Sequence, residues 1–148
     1  MTELRPFRED DALTLQQNMY TSLELDEVKQ MIAAWETHSF EGRYFEMFAV
    51  VHDHRIVGSI SLYGLTSSVA SIGPDIFVHE RKKGFAASAM EQLLKLAAEK
   101  GYRIIQQQVR TNNTASIRLH EKLRFETDGY AYQNRHHNDV FIYLKALS

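Results

Sequence analysis

Apolar positions along the chain change their spacing repeatedly between two residues and three or four, and each change marks an element. Residues 4–7 predict a short strand, and the acids at 9–11 stand where a helix over 11–18 begins. A second helix is expected over 26–37, where Val28, Met31, Ile32 and Trp35 recur at helical spacing. Residues 45–51 and 55–63 are apolar and β-branched on either side of His52-Asp53-His54, the pattern of a hairpin. A strand over 69–78 is interrupted at Gly73-Pro74, where proline lacks a ladder donor and so demands an edge, a bulge or a break in pairing. The clearest helix runs over 81–100. Ala86, Ala89, Met90, Leu93 and Ala97 form its apolar face, Glu91 and Lys95 stand four apart as an ion pair would, and Gly101 supplies the stop. Residues 104–109 read as a strand, Asn113 caps a shorter helix to about 123, and strands over 125–133 and 140–145 flank a polar loop at 134–139. The order β-α-α-β-β-β-α-β-α-β-β is mixed α/β, with its clearest crossover between the strands at 69–78 and 104–109.

A length of 148 residues matches one domain, expected to span 1–148. With 44% hydrophobic and 24% charged residues and only 2 prolines, collagen, coiled coil and long disorder are excluded. The net charge of −2 gives no overall field for a nucleic acid or an anionic membrane, so neither partner is expected and any anion site must be local. The absence of cysteine excludes disulfides, thiolate metal sites and a cysteine nucleophile. The first residues carry Glu3, Arg5, Arg8, Glu9, Asp10 and Asp11 rather than a leader, and no apolar stretch approaches 18 residues. A soluble, cytoplasmic protein is expected.

One local anion site stands out. Arg81-Lys82-Lys83-Gly84-Phe85-Ala86 puts three cations where a helix begins, the end at which the macrodipole disfavours them. A bound phosphate or pyrophosphate offsets this, because first-turn N–H groups point at it, Gly84 allows close backbone approach and Ala86 is small. The alternative is a solvated basic patch beside a glycine.

Residues 69–124 carry two motifs in order. Arg81-x-x-Gly84-x-Ala86 follows Ile76-Phe77, and Asn113-x-x-Ser116-x-x-Leu119-His120-x-x-x-Arg124-Phe125 follows the next strand. The first resembles the R/Q-x-x-G-x-G/A signature of the GNAT superfamily of acyl-CoA-dependent N-acyltransferases, and the second a further element of that family. The element order is similar to the family's over nearly the whole chain. The resemblance implies a mixed, partly splayed central sheet of about seven strands flanked by about four helices. It implies acetyl-CoA as co-substrate, with its pyrophosphate on the backbone of Arg81, Lys82, Lys83, Gly84, Phe85 and Ala86. The pantetheine arm would pair with Ile76, Phe77 and Val78, and Asn113 and Ser116 would contact it; Asn113 is equally a plain helix cap.

His120 stands where many family members have a tyrosine that protonates the departing thiolate, and the Leu-His pair resembles the phosphinothricin-type subgroup. An imidazole with a pKa near ~6.5 suits a thiol leaving group near ~8.5, although a satisfied core histidine is the alternative. The implied reaction is direct attack by a primary amine, of a small molecule or a peptide, on the thioester. For the base, family members often carry a carboxylate on the strand before the signature loop, where this chain has Ser71; Asp75 is the nearest acid, and Glu24 or Glu46 could act through water. Oxyanion stabilisation would come from the N–H of Phe77 or Val78. Two further departures are Val78-His79-Glu80 in place of Pro-Glu-Tyr, and Arg124 in place of the glycine before Phe125, free to reach a phosphate or an acid.

His52-x-His54 and His136-His137 lack the partners of a metal site, so no metal is expected. Tyr130, Tyr132, Phe141 and Tyr143 read as packing residues or as walls for a cationic acceptor. Rival readings are another acyl donor such as succinyl-CoA, a non-catalytic acyl-CoA-binding module or sensor, and nucleotide binding, against which the missing G-x-x-x-x-G-K-[ST] loop argues. The closing strands offer a surface for a homodimer.

Overall fold

The computed structural model describes residues 2–148. Strand β1 (Thr2–Pro6) leads through a 3-10 turn (Glu9–Asp11) into helices α1 (Ala12–Asn18) and α2 (Leu25–Trp35). The entry is locked by Arg5, which donates to both Asp11 oxygens at 2.8 and 3.0 Å, and by the Arg8 N–H at 2.7 Å. Strands β2 (Ser39–Phe40), β3 (Arg43–His52), β4 (Arg55–Gly64) and β5 (Val69–Ile76) follow. Helix α3 (Phe85–Glu99), β6 (Ile104–Arg110), α4 (Thr114–Lys122), β7 (Tyr132–Gln133) and β8 (Asp139–Ala146) close the chain. The expected hairpin at His52-Asp53-His54 turns on two left-handed residues, Asp53 at φ 49° and His54 at φ 65°, as two-residue turns between twisted strands require.

The sheet order is β1-β3-β4-β5-β6-β8-β7, with β2 paired onto β3. One face of the sheet packs on Ala89, Met90, Leu93 and Ala97 of α3, with Ile60, Leu62, Ile72 and Ile105 beneath them. A second core joins α1 and α2 to the opposite face through Leu15, Val28, Ile32, Ala49 and Phe77. Each buried Leu, Ile, Val, Met or Phe among them contributes about 1.5–3 kcal/mol of transfer energy.

Among the described residues one strand pair is parallel, β5 with β6, and it decides where a site can form. The two strands pair only at Val69↔Ile104 and Ala70↔Ile105, then separate. Strand register explains what faces the gap. The Phe77 N–H bonds the Val57 carbonyl at 2.8 Å on the β4 side, whereas the Ile72 main chain is bonded from the β6 side. By alternation Pro74 and Ile76 also face β6, so the residue without an N–H lies where pairing has stopped.

Several elements differ from the sequence expectation. Helix α3 starts at Phe85 rather than at 81, because Lys82 (φ 65°) and Gly84 (φ 85°) hold the preceding loop in left-handed conformations. β5 ends at Ile76, and Val78–Glu80 forms a 3-10 turn. Of the strand expected over 125–133 only β7 and a bridge between Glu126 and Leu144 exist, because Asp128 accepts from the Tyr130 N–H and the Tyr132 hydroxyl and bends the chain. Arg124 takes the glycine's left-handed place itself (φ 63°), and the Phe125 N–H closes on the His120 carbonyl at 2.9 Å. Among the described residues, no helix is long and apolar enough to cross a membrane.

Candidate active site

Beyond Ala70 the fork between β5 and β6 opens into a cleft of about 570 Å³. Pro74, Asp75 and Ile76 form one wall, Asn113, Ala115, Ser116, Leu119 and Lys122 of α4 and its cap form another, and Arg81, Lys82 and the start of α3 close the end. The Asn113 side chain accepts from the Ser116 N–H at 3.1 Å, so the residue both caps α4 and faces the cleft.

At the closed end, the first helical bond of α3 runs from the Ser88 N–H to the Gly84 carbonyl at 3.2 Å. The N–H groups of Phe85, Ala86 and Ala87 therefore have no acceptor among the described residues, and all three residues line the cleft. A Cβ on Gly84 would meet nothing within 4 Å, which keeps the approach open. Arg81 donates from Nε to the Ile76 carbonyl at 2.9 Å, and its guanidinium lies 3.7 Å from Asp75.

Glu80, 4% exposed, anchors the loop. It accepts two bonds from Arg55, at 2.8 and 3.1 Å, and one from Lys83 at 2.7 Å. Those bonds, with Arg55's the stronger influence, hold its carboxyl down at about 2. Glu80 ties the signature loop to the β3–β4 hairpin, and it engages Lys83, which does not line the cleft.

At the apex of the fork lies Gln107, 5% exposed. Its Oε1 accepts from the Ile72 N–H at 2.9 Å and from the Ser71 hydroxyl at 2.8 Å, and its Nε2 donates to the Ile72 carbonyl at 2.6 Å. His120 lies behind it, 3% exposed, packed against Phe125 and Tyr143. Its Nδ1–H donates to the Ser116 carbonyl at 2.7 Å, and Nε2 faces the Gln107 amide at 3.5 Å. Burial lowers the imidazole pKa, partly opposed by the Ser116 carbonyl, so the ring is neutral near pH 7.

The structure thus brings Asp75, Ile76, Arg81, Lys82, Gly84, Phe85, Ala86, Asn113 and Ser116 around one cleft. Four residues of the sequence-derived set lie outside its lining. Phe77 is buried under α1 and α2 with its N–H engaged, and Val78 turns its side chain outward at 73% exposure. Lys83 is held by Glu80, and His120 is sealed behind Ser116 and Gln107. Glu46 is engaged elsewhere, accepting from Tyr44 and pairing with Lys100 at 3.4 Å. Arg124 makes no ion pair among the described residues. Sequence reasoning missed Arg55, Glu80 and Gln107. Only Glu80 left a signal, an acid set directly against three cations. Among the described residues no group of three His, Asp or Glu side chains converges as a metal site would.

A fork of parallel strands facing a helix N-terminus defines the class. Residues 2–126 match the acetyltransferase (GNAT) domain family, and the chain belongs to it. It is 34% identical over 98 residues to the SPbeta prophage-derived uncharacterized N-acetyltransferase YokL of Bacillus subtilis (strain 168), a match covering 64% of this chain and 55% of that protein. The chain thus spans about half the length of that curated relative. The fold is also that of the Salmonella typhimurium acetyltransferase that modifies the N-terminal serine of ribosomal protein L7/L12, with TM-score 0.80, 17% identity and coverage of 99% and 95% of the two chains. YncA of Salmonella typhimurium, solved with acetyl-CoA, gives TM-score 0.75, 15% identity and coverage of 100% and 95%.

Proposed function

We propose that the chain is a single N-acetyltransferase domain that acetylates a primary amine, of a small molecule or a peptide, from acetyl-CoA in the cytoplasm. The fork carries this reading. Its β5 rim presents the Pro74 carbonyl and the Ile76 N–H to an extended amide-bearing arm, and the free N–H groups of α3 stand at the far end for a diphosphate. Bound acetyl-CoA supplies the thioester carbonyl that the amine attacks.

In this reading Arg81 and Lys82 assist the α3 N–H groups, and Asn113 and Ser116 form the opposing wall. An alkyl ammonium with a pKa near ~10.4 is neutral about once in 10³ at pH 7, so a proton acceptor is required. We assign that role to Asp75 at the cleft wall; its charge also reaches Tyr20, whose hydroxyl is pushed up first by burial and then by Asp75. The Phe77 N–H is engaged by Val57, which leaves that of Val78 for charge developing on the carbonyl oxygen. His120 is assigned a positioning role behind the wall. A homodimer through the closing strands belongs to the same proposal.

The test mixes protein and acetyl-CoA with small primary amines and peptide α-amines and scores the free thiol of coenzyme A. The peptide arm is included because the L7/L12-modifying neighbour acts on an N-terminal serine. Turnover of at least one amine is expected, with succinyl-CoA run alongside to identify the donor. The seclusion of His120 favours a second reading, an acyl-CoA-binding sensor, which tight acetyl-CoA binding with no turnover of any amine would support. No calorimetric heat with any CoA thioester would end both.

A further inference from the structure

Resting on the acyltransferase reading, we infer that Gln107 is a positioning residue whose carboxamide replaces the missing rung between β5 and β6, fixing the width of the fork where the thioester must stop. The geometry is that of a peptide unit supplied by a side chain. One planar group gives Ile72 both an acceptor for its N–H (2.9 Å) and a donor for its carbonyl (2.6 Å), as a neighbouring strand would. The last main-chain rungs between these strands are at Ala70, so the carboxamide is the next tie outward. The Ser71 hydroxyl adds a bond to Oε1 at 2.8 Å.

The histidine makes this orientation self-consistent. Because His120 gives its Nδ1–H to the Ser116 carbonyl, its Nε2 presents a lone pair to the Gln107 Nε2. A flipped amide would set oxygen against the Ile72 carbonyl and against that lone pair. Ser116, which lines the cleft, is thereby linked through His120 and Gln107 to Ile72, so both walls are referenced to one amide. Asparagine is too short by one methylene to reach Ile72 from the same backbone. Leucine fills the space but leaves a buried N–H and carbonyl unpaired.

The experiment uses Gln107→Leu and Gln107→Asn in the full chain. In both, the Ile72 amide should exchange at least about 10-fold faster than in the wild type while the Ile60 and Leu62 amides are unchanged. The kcat should fall about 10- to 100-fold, with coenzyme A affinity within about 3-fold, because misplacement by an ångström costs the chemical step and not the diphosphate contacts. Unchanged Ile72 exchange overturns the inference. So does a loss of kcat matched by an equal loss of coenzyme A affinity, the mark of general destabilisation. If the wild type turns over no amine, the acyltransferase reading fails by itself, and the Ile72 exchange still decides whether the carboxamide ties the strands.

Discussion

Glu80→Gln keeps the shape of the side chain and removes the charge that gathers Arg55 and Lys83. Its native carboxyl is depressed to about 2 from the usual 4.5, so the stability it contributes is present above about 4.5 and is lost as pH falls toward 2. Denaturant midpoints should therefore separate wild type and variant most at neutral pH and converge near pH 2. His120 runs from a different starting value. Its folded pKa lies below 6.5, so the unfolded state binds the proton first, and stability falls as pH drops below about 6.5. Wild type should lose denaturant resistance between pH 7 and 5, and His120→Phe should show a flatter profile; an unchanged slope would place the pH sensitivity on another group. At this scale the sequence exposed Arg81 and Gly84 through their motif. It hid the partners that decide their neighbours' roles: Lys83 is occupied by an acid three residues earlier, and Gln107 acts on Ile72 from 35 positions away.

Helix α4 ends on a residue that carries a side chain in a conformation suited to glycine. Arg124→Gly should relieve a left-handed backbone penalty of roughly 1–2 kcal/mol, less the extra entropy of an unfolded glycine, for a net gain of up to about 1 kcal/mol by thermal or chemical unfolding. At the start of α3, Gly84→Asp puts a carboxylate beside the free N–H groups as well as forcing a side chain to φ 85°. Coenzyme A affinity should drop by at least about 10-fold by calorimetry; unchanged affinity discards the diphosphate assignment. Element boundaries were legible where local chemistry sets them, as with Asn113 bonding the Ser116 N–H or the hairpin at Asp53-His54. They failed where propensity and geometry disagree. Arg81, Lys82 and Lys83 are good helix formers, yet left-handed residues keep them out of α3, and the aromatics near Tyr130 read as strand until Asp128 and Gly129 (φ 80°) turn the chain.

Across the whole molecule, the sheet falls into β1-β3-β4-β5 with their helices and β6-β8-β7 with α4. In the sequence Gly73-Pro74 called for an edge, a bulge or a break in pairing; β5 runs through both residues in regular register with β4, and the break falls on the β6 side, as the splay implied by the family resemblance requires. What remained illegible was how short the hydrogen-bonded seam is, two main-chain rungs and one carboxamide beside the core shared under α3, because no local pattern encodes when two strands stop meeting. So narrow a join has a consequence for the working cycle. A guest lying along the open edges would lace the two halves together, and thermal midpoints should climb with its concentration, by the equivalent of about 2.7 kcal/mol at a hundredfold excess over Kd. Under the proposed function, each departure of coenzyme A would then unlace them, leaving the fold in its softest form at the moment the cleft must admit the next guest.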